Sequence, residues 1–155
     1  MQAGGEIMIV TDLDFSGLQE IARDLEILSK AENSKVLRQA TYAAASVLRD
    51  EARVKAPKRT GKLSRNIVAS NRKSRNGDVL AGVYVRGSNA KGTNSDPKMK
   101  KSDPRNAYYW RFLEYGTSKL APRPFARPAF DAKSDEAAKF ALKRLNQAID
   151  EVLSK

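Results

Sequence analysis

Hydrophobic and polar residues alternate near the start of the chain. Between residues 7 and 15 the positions of one parity are mostly apolar, namely Ile7, Ile9, Thr11, Leu13 and Phe15. Successive side chains of a strand point to opposite faces, so this pattern predicts a half-buried β-strand. After Ser16, a residue type suited to the N-cap, apolar residues recur at intervals of three and four. That spacing predicts an amphipathic helix to about Lys30.

A longer helix is predicted next, from Ser34 as its N-cap to about Lys55. Its apolar face repeats at helical spacing and contains Val36, Ala40, Ala43, Val47 and Val54. Because this face continues for several turns, we expect it to pack against another helix or a sheet.

The segment after this helix predicts a tight turn. Pro57 should end the helix, since the residue before a proline is disfavoured in the α conformation. Gly61 is expected to take a positive φ, and Thr60 is expected to cap a short helical turn over residues 62–66.

A β-hairpin is the next predicted element. One strand should run from Ile67 to about Arg75, and residues 78–87 should return beside it. On the return strand one face is apolar and contains Val79, Ala81, Val83 and Val85. Asn76-Gly77, between the two strands, is a dipeptide favoured in type I′ hairpin turns.

Residues 88–102 show no periodicity and are rich in Ser, Asn, Gly and Lys, so they predict a basic flexible loop. Asp103-Pro104 and Gly116 then mark a helix start and stop. The alternative is a strand, because the aromatic run within this stretch is β-favouring. On the preferred helical interpretation one face is aromatic and is expected to belong to the core; it contains Tyr108, Arg111, Phe112 and Tyr115.

A proline-rich strip follows. Three X-Pro bonds within residues 118–128 should hold the chain near polyproline geometry. Arg123, Phe125 and Arg127 are residue types enriched at interface hot spots, so the strip is a candidate docking surface. An alternative with the same weight is that the strip is a linker that packs across the core of the protein, with Phe125 buried.

The last segment predicts helices. Pro128 is expected in the first turn of one helix, and Ser134 is expected to cap the final one. An apolar stripe follows and contains Ala138, Ala141, Leu145, Ile149 and Val152. Together the elements predict an α+β fold in one domain over residues 1–155, with a small antiparallel β-sheet packed against helices and a long C-terminal helix.

The amino-acid composition excludes several kinds of functional site. The 155 residues include no cysteine and no histidine. The first absence removes disulfides and thiolate zinc sites, and the second removes the commonest general base. We therefore expect no cofactor and no catalytic role. No apolar run approaches the roughly 20 residues that span a bilayer, and no signal peptide is recognisable, so we expect a soluble protein in a reducing cytoplasm.

The net charge of +11 predicts an acidic partner. Nucleic acid, an anionic membrane and an acidic protein surface all satisfy that condition. One basic block lies within residues 49–75. Residues of the second block are candidates for contact with DNA or an acidic partner: Lys91, Lys98, Lys100, Lys101 and Arg105. The alternative for both blocks is a solvated surface. Glu114 is the one acid among the aromatics, and we expect it to pair with a nearby arginine.

Three motifs occur in order along the chain. They are Pro57-x-x-Thr60-Gly61-x-Leu63, then Phe112-Leu113-Glu114-Tyr115-Gly116-Thr117, then Pro122-Arg123-Pro124-Phe125-x-Arg127-Pro128-Ala129. In this order the chain resembles the tail-completion, or head–tail joining, family of long-tailed bacteriophages, which is related to the lambda minor tail protein Z. Leu113 stands where valine is more usual in that family, and the basic loop has no counterpart there.

The resemblance implies a small α+β virion protein without enzymatic activity. It would act at the head–tail junction, in the virion neck, after assembly in the host cytoplasm. Implied partners are other tail and neck proteins (the tail terminator or tube and the head connector), further copies in a ring, and genomic DNA. Implied interface residues are Arg59, Thr60, Gly61, Glu114, Gly116, Thr117, Arg123, Phe125 and Arg127. The main alternative is a basic nucleic-acid-binding accessory domain, and a carboxylate-dependent nuclease is the third.

Overall fold

The computed structural model describes residues 19–76, 78–87 and 99–155. The predicted N-terminal strand, Gly77 and most of the basic loop lie outside the described residues. The described elements are α1 (Gln19–Ile27), α2 (Lys30–Lys55), α3 (Lys62–Asn66), β1 (Ile67–Lys73), β2 (Val79–Val85), α4 (Trp110–Tyr115) and α5 (Ala126–Leu153). This arrangement confirms the predicted α+β class, with a small antiparallel sheet and a long C-terminal helix.

Helix α2 begins earlier than the sequence prediction. Its N-cap is Ser29, whose hydroxyl accepts the N–H of Glu32 at 3.3 Å while the Glu32 carboxylate accepts the N–H of Ser29 at 2.9 Å. This reciprocal pair is a capping box, which satisfies two N–H groups at the helix start. The prediction of Ser34 as the N-cap was wrong, because Ser34 lies inside the helix. The predicted end at Lys55 is confirmed.

Helices α2 and α5 form an antiparallel pair that frames the structure. At one end Val36 and Ala40 of α2 pack in a core cluster with Leu145, Ala148 and Ile149 of α5. At the other end Ala52 joins a second cluster with Phe125 and Ala129. The small alanines on α2 allow the two backbones to approach closely.

The predicted hairpin is confirmed. β1 and β2 pair antiparallel, with Ile67 opposite Val85 and Lys73 opposite Val79. Burial along β2 alternates as the sequence pattern predicted, and both strands pack against α2. The backbone N–H of Ser74 donates to the carbonyl of Asp78 at 3.3 Å across the connection.

The predicted helix from Asp103 to Gly116 is shorter than expected. The Asp103 carboxylate accepts the N–H of Arg105, and the N–H of Ala107 donates to the carbonyl of Arg86 at the end of the hairpin. The residues before Trp110 therefore form turns that lie against the hairpin and not a helix. Only residues 110–115 form a helix, α4, which ends at Gly116 as predicted. The short polar side chain at 103 stabilises a turn here and not a helix start.

The face of α4 that packs on the core also differs from the expectation. Trp110 and Leu113 contact the core cluster around Ile67. Phe112 and Tyr115 are 51% and 52% exposed, so the aromatic face predicted to be buried is largely exposed. The side of α4 that faces the core contains Trp110 and Leu113, both partly buried, so the sequence prediction chose the wrong face of the helix.

Helix α5 is continuous from Ala126 to Leu153, so Ser134 lies inside it and caps nothing. Pro128 is in its first turn, as predicted, where an absent N–H leaves no intrahelical bond unmade.

The described residues contain no helix that is both long and apolar enough to cross a membrane.

Candidate partner-binding surfaces

Glu114 on α4 holds the start of α5. Its carboxylate accepts three backbone N–H groups, from Phe125 at 2.8 Å, Ala126 at 3.1 Å and Arg127 at 3.1 Å. These are N–H groups that a helix start leaves without intrahelical partners, and a negative charge there is favoured by the helix dipole. The expected arginine partner for Glu114 was wrong, because backbone groups from another element occupy the carboxylate.

The turn after α4 is closed by several backbone contacts. Gly116 has a φ of 74°, and a Cβ at this position would lie 2.8 Å from the carbonyl oxygen of Leu120. Thr117 and Leu120 exchange backbone hydrogen bonds of 2.8 and 3.2 Å. The N–H of Arg123 donates to the carbonyl of Leu113 at 2.7 Å. The proline-rich strip is therefore bonded to α4 near its middle, at Arg123, and towards its end, by the contacts of Glu114.

The braced strip forms one wall of a groove with a volume of about 1140 Å³. The opposite wall is the β-hairpin, and the end of α2 lies beneath. The floor and lower walls are apolar and include Ile67, Val85 and Phe125; Trp110, Tyr84 and Tyr115 add aromatic surface. Charged side chains on the walls are Arg72, Glu114, Arg127 and Asp131. We call this surface the hairpin groove.

Three of the predicted interface residues line the hairpin groove, namely Glu114, Phe125 and Arg127. Phe125 is only 1% exposed, so the structure supports the alternative in which it is a core residue. Gly116, Thr117 and Arg123 lie in the segment that braces the groove wall. Arg59, Thr60 and Gly61 are not brought to the groove.

The predicted turn residues instead shape the start of α3. Gly61 has the expected positive φ, 68°, and is itself the N-cap residue. The Thr60 hydroxyl accepts the N–H of Lys62 at 3.4 Å, and the Thr60 carbonyl accepts a guanidinium N–H of Arg65 at 3.5 Å. Thr60 was predicted as the N-cap of this helix, but it is the residue before the N-cap, which is Gly61.

The structure brings together two basic segments that are distant in sequence. The Lys62 ammonium on α3 donates to the carbonyl of Lys101 at 3.1 Å, and the Asn66 amide donates to the carbonyl of Pro104 at 2.8 Å. Arg86 joins them, because its guanidinium donates to the carbonyl of Arg65 at 3.4 Å. We call the resulting surface the basic face; its cations, with two in the turn before α3, are Lys58, Arg59, Lys62, Arg65, Arg86, Lys100, Lys101 and Arg105. Of the predicted contacts in the second basic block, Lys100, Lys101 and Arg105 belong to this face. Lys91 and Lys98 lie outside the described residues.

Among the cations of the basic face, Arg105 is paired with a carboxylate. The Asp103 carboxylate accepts two hydrogen bonds from the Arg105 guanidinium, at 3.0 and 3.2 Å. The Arg105 side chain and N–H, with the nearby charge of Lys62, lower the pKa of Asp103. Across the segments the structure describes, no carboxylate is ion-paired with Lys58, Arg59, Lys62, Arg65, Lys100 or Lys101.

A family model matches residues 19–116, more than half of the chain. It represents the bacteriophage HK97-gp10-like proteins, which are described as tail components. The chain belongs to the HK97-gp10-like family. The match runs from α1 through α4, so it contains the basic face and the hairpin but ends before the proline-rich strip and α5. Searches of curated proteins and of solved structures gave no match.

Membership of the HK97-gp10-like family agrees with the resemblance to phage tail proteins that the three motifs indicated. The motif residues Thr60 and Gly61 and the segment Phe112–Gly116 fall within the matched region. Among the residues described by the structure, no group of three or more Asp or Glu side chains is arranged to hold a metal ion.

Sequence reasoning missed the groove residues on the hairpin and on α5. Tyr84 and Arg72 point away from the apolar face of the hairpin, and Phe130 lies on α5. An exposed tyrosine on the outer face of a strand was the one available signal. The groove itself was not readable, because it forms only when the hairpin and the strip pack on α2.

Proposed function

We propose that this HK97-gp10-like protein acts at the head–tail junction of a long-tailed bacteriophage, where it completes the tail and enables its joining to the DNA-filled head. Membership of a family of bacteriophage tail components supports a role in the virion. The three motifs, in the order found in the tail-completion family, support the finer assignment. The protein works by binding and not by catalysis, in the virion neck and, during assembly, in the host cytoplasm.

The observation that carries the proposal is the hairpin groove. Its apolar floor and its aromatic and arginine side chains are the features that dominate hot spots of protein interfaces. Its strip wall is held by the contacts of Glu114 and by the backbone bond between Arg123 and Leu113. A groove that is fixed before binding needs little ordering when its partner arrives.

We propose a neighbouring copy of the same chain as the occupant of the groove. A closed ring needs two different patches on each subunit, one for each neighbour. We propose that Ile27 and Leu153, which are 71% and 49% exposed, form a second apolar patch at the far end of the helix pair. Their chain neighbours meet there, because Leu28 belongs to a core cluster against which Val152 packs. Helix α5 is about 42 Å long, so the two patches lie at opposite ends of the molecule.

In this proposal the two remaining faces of the ring contact other phage proteins. One face meets the tail terminator or tube and the other meets the head connector. Charged groups at the groove rim, among them Arg127 and Asp131, would fix the register of neighbouring copies, since complementary charges mainly provide specificity.

Imaging of particles from a phage strain without this gene tests the function. The expected result is full heads beside separate tails of complete length, and joined particles when the gene is supplied in trans. Tails that are absent, or of irregular length, would place the protein earlier in tail assembly and contradict the joining role.

A further inference from the structure

The basic face is built from segments fixed relative to one another. The buried amide of Asn66 donates to Lys62 and Pro104 carbonyls, both at 2.8 Å. The buried amide of Asn106 donates to the carbonyls of Met99 and Lys100 at 3.2 and 3.1 Å. Buried amides with satisfied hydrogen bonds define a single backbone arrangement. The cations are therefore displayed on a preformed surface and not on independent loops.

The composition of the basic face is unlike that of a protein interface. In the described segments 58–66 and 99–106, with Arg86, eight cations accompany one carboxylate, Asp103. None of the strongly exposed large apolar side chains in the described part of the chain lies in these segments. Protein interfaces have an apolar centre and are depleted in lysine, whereas DNA-binding surfaces are polar and strongly positive.

We propose that the basic face binds the sugar–phosphate backbone of double-stranded DNA without sequence preference. Lysine and arginine contacts to phosphate supply affinity but carry no sequence information. An acidic protein is the less favoured partner, because the face lacks an apolar anchor.

The same geometry argues against single-stranded DNA as the main ligand. Binding of single strands relies on aromatic rings that stack on bases. The ring of Tyr108 has the Lys101 ammonium 5.4 Å from its centroid, and its centroid is 5.7 Å from that of Tyr109 in an edge-to-face arrangement. Both aromatic side chains near the face are thus already engaged.

This inference goes beyond the proposed joining function, which requires no DNA contact. The basic face and the hairpin groove use different residues, so each can be removed separately. A groove variant that fails in joining yet still binds DNA would separate the two.

The test measures binding of the purified protein to a 30-base-pair duplex over a series of salt concentrations. The test variant replaces Lys58, Arg59, Lys100 and Lys101 with alanine; Lys62 and Arg65 are kept because they bond backbone carbonyls. The matched control replaces four exposed lysines elsewhere with alanine, namely Lys35, Lys119, Lys139 and Lys143. Both variants have the same net charge, and circular dichroism verifies their folding.

For the test variant we expect at least tenfold weaker binding at about 100 mM salt, and a log–log salt slope smaller in magnitude by about three. The control should change affinity by less than threefold. Equal weakening by both variants would show that net charge alone is responsible and would overturn the proposal. Absence of duplex binding by the unmodified protein at low salt would also overturn it, as would binding to polyglutamate in preference to DNA, which would assign the face to an acidic protein.

Discussion

The carboxylate of Glu114 accepts the backbone N–H of Phe125 at 2.8 Å, and this bond joins two elements that the sequence separates by a turn and two prolines. Phe125 lies in the core at the floor of the hairpin groove, and Glu114 lies in its wall. The position of the groove floor and the start of α5 therefore depend on one side chain.

Loss of the Glu114 carboxylate should destabilise the protein. Glu114→Ala leaves three helix-start N–H groups without their charged acceptor, and we expect a loss of about 2–3 kcal/mol in the free energy of unfolding. Glu114→Gln keeps one acceptor oxygen and should lose about half as much. Urea denaturation measures both. Asp135→Ala, an exposed acid later in α5, is the control and should change stability by about 0.5 kcal/mol or less.

The two phenylalanines at 125 and 112 should respond differently to truncation. Phe125→Ala removes a ring that is 1% exposed, and such cavities cost about 3–5 kcal/mol. Phe112→Ala removes a ring that is half exposed, so we expect a loss below about 1 kcal/mol. Thermal unfolding compares them directly. Similar losses for both variants would contradict the placement of Phe125 in the core.

Gly116 and Gly82 provide a matched pair for backbone strain. Gly116→Ala would require a positive φ and a Cβ within 2.8 Å of a carbonyl oxygen, and we expect a loss of more than about 1 kcal/mol. At Gly82, which lies in β2, a Cβ would meet no atom within 4 Å, so alanine should be neutral or slightly stabilising. Denaturant midpoints distinguish the two, and a neutral Gly116→Ala would mean that the turn relaxes.

The start of α2 gives a test in which the control is the residue that the sequence pattern favoured. Ser29→Ala should cost about 1 kcal/mol, whereas Ser34→Ala should be close to neutral. Hydrogen bonds from the Ser29 side chain and backbone lower the pKa of Glu32 in the folded protein. The contribution of the ionised glutamate is therefore present at neutral pH and is lost as the pH falls through this lowered pKa, so the effect of Ser29→Ala should shrink in acid.

The elements that sequence predicted well depend on local patterns. Alternation along β2 and the end of α2 before Pro57 are set by residues within a few positions. The true start of α2 was also readable, because Ser29 and Glu32 have the spacing of a capping box. Ser134 carried an equally good start signal, but the real start of α5 is held by Glu114, which lies more than ten residues upstream on another element. No local pattern reveals that partner.

For the candidate surfaces too, the sequence showed the residue types but not how the fold brings them together. Positive charge in residues 58–65 and 99–105 was visible in the sequence, but their convergence depends on the buried amides of Asn66 and Asn106. The hairpin groove requires β2 and the proline-rich strip to pack on the same helix. Tertiary contacts of this kind follow from the whole core and not from any one segment.

The head-to-tail ring can be tested with two single variants. Tyr115→Asp places a charge in the hairpin groove, and Ile27→Asp places one in the far-end patch. Each variant alone should fail to form rings, since every contact then includes a damaged patch. An equimolar mixture should form heterodimers, because one intact groove and one intact patch remain. Sedimentation velocity measures the species, and a mixture that stays monomeric would contradict the head-to-tail arrangement.

The central claim is tested most directly by joining in vitro. Purified full heads and tails from a strain without this gene are mixed with purified protein, and infectious particles are counted. We predict that the unmodified protein and a Lys139→Glu/Lys143→Glu control restore joining. The Arg123→Glu/Arg127→Glu variant, folded by circular dichroism, should yield at least a hundredfold fewer infectious particles. Full restoration by that variant would contradict the role of the groove, and no restoration by the unmodified protein would contradict the joining function itself.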